Sequence, residues 1–131
     1  MTASTINPER LAHARPRLEK EDNIWLASVR KDGRPHLVPV WFVWYADRIW
    51  FVTEAKTQKI ANIQANPKVS VALEDGVKPV ILEGSAELDN SPDDLEAIAA
   101  KFQQKYSWSI QKDLARNSVL VRITPKRLLS W

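Results

Sequence analysis

The sequence predicts a mainly β fold with flanking α-helices: an antiparallel barrel of about six strands. Three observations point there. Short apolar runs are separated by turn-forming clusters such as Lys31-Asp32-Gly33 and Glu74-Asp75-Gly76, the pattern of strands joined in hairpins. Apolar residues at helical spacing occur only in two or three short stretches. At 131 residues, without a repeat, low-complexity segment or linker, the chain reads as one domain, 1–131. A chain of this size buries roughly two-thirds of its unfolded surface and needs no covalent staple.

In chain order, Pro8 to Lys20 reads as a short helix, bent or ended near Pro16, whose ring and missing N–H disrupt a helix interior. Asn23 to Arg30 is a strand, and after the Lys31-Asp32-Gly33 turn Arg34 to Tyr45 is a second, longer one. Ala46-Asp47-Arg48 turns the chain and Ile49 to Thr53 returns as a third. Between Glu54 and Ala65, Lys59, Ile60 and Ile63 fall at helical spacing, and Asn66-Pro67 closes the segment. Val69 to Leu73 and Val80 to Leu88 are two further strands. Ser91-Pro92-Asp93-Asp94 resembles a helix start, with a capping serine, proline at the first helical position and acids in the first turn. Leu95, Ile98, Ala99 and Phe102 mark that helix's apolar face. A poorly patterned stretch, Ser107 to Arg116, leads to a last strand, Ser118 to Thr124, and a tail ending at Trp131.

The second strand is the most informative. In Leu37-Val38-Pro39-Val40-Trp41-Phe42-Val43-Trp44-Tyr45 residues of both parities are apolar, whereas a strand with one wet face alternates. Both sides therefore require cover. One face fills the barrel; the other is expected to meet a partner chain, a flat ligand or a helix of the same chain. Pro39 cannot donate to a ladder, which places it at an edge or an irregularity.

Composition narrows the chemistry. Cysteine is absent, which removes disulfides, thiolate metal sites and thiol redox chemistry, so electron transfer would run on a bound cofactor. The three glycines, Gly33, Gly76 and Gly84, cannot assemble a GxGxxG loop or a P-loop. His36 and His13 lack companion ligands for a metal site. The net charge of +3 is mildly favourable to an anionic ligand or simply surface scatter. The polar N-terminus (Met1 to Arg10) lacks the apolar stretch of a secretory signal, and the longest apolar run, Leu37 to Ala46, is half a membrane span. A soluble, cytoplasmic protein without membrane partner is expected. Basic residues are scattered and aromatics sit inside apolar runs, which argues against nucleic acid as a partner.

Several segments carry a family resemblance in order and spacing: Trp25-Leu26-Ala27-Ser28-Val29, Asp32-Gly33-Arg34-Pro35-His36, Pro39-Val40-Trp41-Phe42, Thr53, Lys59-Ile60-Ala61-Asn62-Ile63, Asn66-Pro67-Lys68-Val69-Ser70 and Glu83-Gly84-Ser85-Ala86-Glu87. Together they resemble the pyridoxamine 5′-phosphate oxidase-like family of flavin-binding split β-barrels, well over residues 20 to 88 and loosely elsewhere. The resemblance implies a homodimer with two interface sites for FMN or, in a large subgroup, a deazaflavin cofactor. The DGRPH and PVWF segments and the closing Arg127 to Trp131 are closer to that subgroup than to the oxidases proper. Gln58 stands where the oxidase has a phosphate-binding arginine, and Pro79 where it has a flavin-contacting glutamine. The oxidase's long C-terminal substrate-holding segment has no counterpart, so vitamin B6 oxidation is not expected.

Without a glycine-rich loop, a flavin phosphate needs another cradle. The start of the helix after Thr53 offers free N–H groups, a favourable dipole, and Lys56, Thr57 and Lys59. The alternative is a solvated basic helix face. The resemblance adds His36, Val38, Val40 and Trp41 on the strand beside the isoalloxazine ring, with the main chain of Val52 and Thr53 at the pyrimidine edge. His36 reads either as a bond to a phosphate or ribityl oxygen or as an ordinary half-exposed histidine. Trp41, Trp44 and Trp50 read as core or interface more than as ring-stacking groups, and Trp131 could reach a partner's site. No catalytic acid, base or nucleophile is identifiable. That is compatible with hydride chemistry on the cofactor, with a small planar organic substrate. The competing reading is a non-catalytic protein that holds FMN, or haem with His36 as axial ligand.

Overall fold

The computed structural model describes residues 6–131; the polar stretch before Ile6, part of the segment read above as lacking a leader, lies outside them. The elements are α1 (Pro8–Lys20), β1 (Asn23–Val29), β2 (Pro35–Trp41), β3 (Val43–Tyr45), β4 (Arg48–Glu54), α2 (Gln58–Ala65), β5 (Lys68–Leu73), β6 (Val80–Leu88), α3 (Leu95–Tyr106), α4 (Ile110–Leu114) and β7 (Ser118–Ser130). The strands form one antiparallel sheet of seven, in the order β2-β1-β5-β6-β7-β4-β3. β2 and β3 are opposite edges of this sheet, yet only Phe42 separates them in sequence. The sheet therefore curls until its two edges meet at Phe42, which gives a split barrel.

That closure explains the seventh strand. The run Arg34 to Tyr45, expected as one strand, is two because the chain changes edge at Phe42. The Phe42 side chain is fully buried, and its backbone is held from α3 instead of by a ladder: the Phe42 N–H donates to Tyr106 Oη at 3.0 Å. The Phe42 carbonyl accepts from Lys105 Nζ and Tyr106 Oη, both at 2.9 Å.

Other boundaries differ from the expectation for local reasons. α1 runs through Pro16, held by the buried Ala14 and Leu18 on either side of it, and is capped by Asn7 Oδ1, which accepts from the Glu9 N–H at 2.9 Å. α3 begins at Leu95, so Ser91 is not its cap; the Pro92 carbonyl accepts from the Leu95 N–H in a preceding turn. The unpatterned stretch contains α4, anchored by the fully buried Ile110. β7 continues past Thr124, where the last strand was expected to end, to Ser130, because Pro125 sits at a bulge opposite Gly84. At Gly84 a Cβ would strike the Thr124 carbonyl oxygen, so only glycine lets β6 and β7 approach there.

Two apolar clusters stabilise the domain. The barrel interior holds Ile24, Leu26, Phe42, Ile49, Phe51 and Leu82. A second cluster, with Trp50, Ile98, Phe102, Ile110 and Leu120, lies between the sheet and the α3–α4 pair. No described helix is long and apolar enough to cross a membrane.

Candidate functional site

The site grows from the split. β2 is an edge strand, so the side away from β1 has no ladder partner. β3 pairs with only Arg48 to Trp50 of β4, so beyond Trp50 the side of β4 away from β7 is also unpaired among the described residues. β2 and β4 approach within 8 Å, Cα to Cα, without pairing. Two strand edges without ladder partners thus flank one slot, with Pro35 and Pro39 of β2 contributing no N–H, and main-chain groups left unpaired there favour a ligand with polar edges.

Helix α2 stands at the open end. Its N-cap, Thr57, turns its hydroxyl to the Glu54 carbonyl at 3.0 Å and leaves the first-turn N–H groups without a side-chain cap. Lys59 is partly buried and forms no ion pair among the described residues; burial holds its pKa below the usual lysine value, opposed by Glu54. One turn further on the same face, the buried Asn62 donates to Ser28 Oγ at 2.9 Å and accepts from Gln58 Nε2 at 2.7 Å. This bond fixes α2 to β1, and Ser28 is the register partner of His36.

His36 thus sits beside the face of α2 that carries Lys59. Burial, then the charges of Arg30 and Lys59, hold its pKa below the ordinary histidine value, and its Nδ1 is shielded from water without a hydrogen-bond partner. Arg30 donates to the Pro35 carbonyl at 2.9 Å. Lys59 and Arg30 put two cations around His36 beside an uncapped helix end, the arrangement that suits a phosphate. The residues present fit a flavin nucleotide on two counts: an orphaned buried nitrogen and free first-turn donors.

The other expected residues divide by strand parity. His36, Val38 and Val40 share the inward face of β2, Val40 buried in the barrel core and Val38 half-buried. Trp41 lies on the opposite face, half exposed, with Tyr106 stacked on its ring, and so is not brought together with Val38 and Val40. Thr53 has the inward parity of Phe51, whereas Val52 packs on the α3–α4 cluster. Lys56 is exposed, while Trp44 and Trp50 are buried as expected. Ser28, Asn62, Gln58 and Arg30 were given no role from the sequence. An amide at position 62 among the apolar Ile60 and Ile63 was the signal available.

The outer face of β2 and its neighbours is bare. Leu37 is 62% exposed, Trp41 50% and, on the adjacent β1, Trp25 39%. Of the three covers expected for this face, a helix of the same chain reaches the Trp41 end, through Tyr106. A cleft of about 450 Å³ on this face is lined by Ala27, Ser70, Gly84, Ser85, Lys126 and Arg127, among others.

A family model described as pyridoxamine 5′-phosphate oxidase matches residues 11–131. No curated protein matches the chain. A conserved hypothetical protein of Mycobacterium tuberculosis is 27% identical, with a TM-score of 0.77 over 100% of this chain and 88% of that one. An F420 reductase is 30% identical, with a TM-score of 0.68 over 86% of this chain and 92% of that one. HutZ, a heme storage protein of Vibrio cholerae, shares the fold at 18% identity, with a TM-score of 0.73 over 94% of this chain and 93% of that one. The matched span takes in the curled sheet, the slot between β2 and β4 and the cationic end of α2, and this chain belongs to the pyridoxamine 5′-phosphate oxidase-like family of split β-barrel proteins.

Proposed function

We propose that this protein binds a flavin nucleotide, FMN or the deazaflavin F420, between β2 and β4, and exchanges hydride with a small planar organic substrate. The observation that carries the reading is the slot itself: two unpaired strand edges ending at an uncapped helix and a partly buried, unpaired Lys59. A flat ring with heteroatoms along its edge fits the strands, and a phosphate fits the helix end. The likeness to an F420 reductase, which spans 92% of that protein, supports the deazaflavin form.

On this reading Lys59, Lys56, Thr57 and the first-turn N–H groups of α2 hold the phosphate. His36 donates to a phosphate or ribityl oxygen, the half-buried Val38 gives the ring an apolar side with the backbone of Val40 next to it, and the backbone of Val52 and Thr53 meets its pyrimidine edge. When bound, the cofactor supplies the two-electron chemistry, and the protein supplies position, charge and a dry site. No residue is assigned as general acid or base. Gln58 and Pro79 stand against a true pyridoxamine phosphate oxidase. The bare outer face is assigned to a second copy of this chain, making a homodimer whose sites lie at the interface.

The test is the mass and absorption spectrum of the cofactor that copurifies, with FMN and F420 titrations of the purified protein. An intense visible band and a saturable thermal shift with one of the two are expected; a colourless protein that answers neither overturns the reading. The haem alternative has one favourable observation, the unpartnered Nδ1 of a histidine whose pKa is lowered by burial and by Arg30 and Lys59. It predicts a Soret band on haem addition that is lost in His36→Ala.

A further inference from the structure

On the flank of the barrel, α1 lies across the start of β6 and the end of β7 and encloses a cleft of about 580 Å³. Arg10, His13 and Arg17 line it from one stripe of α1, at i, i+3 and i+7, and Lys78, Pro79 and Trp131 line it from the sheet side. Glu9 is the one acidic residue of the lining. The volume is that of a small-molecule site.

The cationic groups are short of acceptors. Arg10 Nη2 donates to the Ser130 carbonyl at 2.6 Å and to Ser130 Oγ at 2.9 Å, both neutral groups. Arg17 pairs through Nε with Glu21 at 2.9 Å and through Nη1 with the Lys78 carbonyl at 2.7 Å, but its Nη2 is buried without a partner. A guanidinium donor left unmade away from water is costly, so a group with spare acceptors is favoured here. Guanidinium forks match carboxylates in plane and spacing. Trp131, 78% exposed, presents a broad aromatic face at the same cleft, beside the buried Pro79. An exposed indole of that size is unfavourable in water and is relieved by a flat ring laid on it.

We infer that this cleft binds a small planar aromatic carboxylate, its carboxyl group toward Arg10 and Arg17 and its ring on Trp131. The cleft shares no lining residue with the slot beside Lys59 of its own protomer, and because the family resemblance relates Pro79 and Trp131 to the flavin site, Lys59→Ala is the variant that separates the inference from the flavin reading.

Calorimetric titration of the full chain with 2-naphthoate tests it, with 2-naphthylmethanol and cyclohexanecarboxylate as controls. One saturable site per chain is expected for the naphthoate, with each control weaker by about tenfold or more. Arg17 also ties the Lys78 carbonyl and could disturb folding if changed, so the decisive variants are the exposed Arg10→Gln and Trp131→Ala. Each is expected to weaken naphthoate binding by about tenfold or more, while Lys59→Ala leaves it unchanged. Absence of binding, equal affinity for the alcohol, insensitivity to both decisive variants, or loss in Lys59→Ala would each overturn the inference.

Discussion

The ring of Tyr106 lies 4.5 Å from that of Trp41 and 5° from parallel, while its hydroxyl bonds the backbone of the neighbouring Phe42. One side chain thus does two jobs at the point where the barrel closes. It covers the half-exposed end of β2, and it satisfies an N–H and a C=O that have left the ladder. The hydroxyl also lies 2.6 Å from the Asp22 carbonyl, just before β1. Tyr106→Phe keeps the stack and removes these bonds. A loss of about 1–3 kcal/mol in urea unfolding is expected. A loss below a few tenths would mean that the hydroxyl is dispensable for closure.

Lys105, whose ammonium also bonds the Phe42 carbonyl, lends the closure a pH dependence. Burial pushes its pKa down to about 8 from 10.5, against the pull of Asp22 and Glu21 and with a small push from Lys101. Between those values the unfolded chain keeps a proton that the folded chain has released, so folding becomes more favourable as pH rises. Tyr106 works in the opposite sense: burial pushes it up to about 12 from 10.0, so it favours unfolding above pH 10. From pH 8 to 10 the wild type should therefore gain stability relative to Lys105→Met, measured as the difference in urea midpoints. A flat difference across that window would show that Lys105 is not held down.

Lys59 is expected to separate stability from binding. Its charge is partly desolvated without an ion pair, so Lys59→Met should leave the melting temperature unchanged or slightly raised. FMN or F420 affinity should drop by about 1.5–3 kcal/mol, the range for a charged hydrogen bond. Unchanged affinity would remove Lys59 from the site.

Leu37 tests the proposed homodimer. It is the most exposed of the large apolar residues on the outer face of β2, and its register partner across the strand pair is Ala27. Leu37→Glu should convert a dimer to a monomer in sedimentation at micromolar concentration while leaving the circular dichroism spectrum intact. A wild type that sediments as a monomer removes the proposal.

Gly84→Ala should be the most damaging small substitution. Its Cβ meets backbone, the Thr124 carbonyl, which cannot swing aside as a side chain would. The expected cost is about 3 kcal/mol or more, read from urea unfolding. A cost under 1 kcal/mol would show that the bulge relaxes.

Most elements were legible because each has a local signature. Turn clusters at Lys31-Asp32-Gly33 and Glu74-Asp75-Gly76 bounded the apolar runs of β1 and β6, and the turn at Ala46 and Asp47 is a two-residue one with both φ angles positive, 53° and 56°. The failures cluster where distant contacts override local preference. The first helix was expected to bend or end near Pro16 and the last strand to end at Thr124, yet α1 is carried through by buried neighbours and β7 by a bulge across the sheet. Ser91 had the chemistry of a cap, but the turn at Pro92 delays the helix to Leu95. At the candidate site, Lys59, Thr57 and His36 were given site roles from the sequence, while Ser28 and Asn62 appeared only as members of matching segments. Their mutual bond spans 34 residues and leaves no trace in spacing.

By itself the chain determined that it would build a cysteine-free, mostly antiparallel domain around a strand apolar on both sides, with lysines at the start of a short helix. Periodicity, turn residues and charge act over a few neighbouring positions, so these features follow from composition and order alone. Only the tertiary structure decided that this strand breaks at Phe42, that the sheet closes there under Lys105 and Tyr106, and that His36 comes to lie beside Lys59. Closure depends on hydrogen bonds between groups more than 60 residues apart, which form only once the whole sheet has curled.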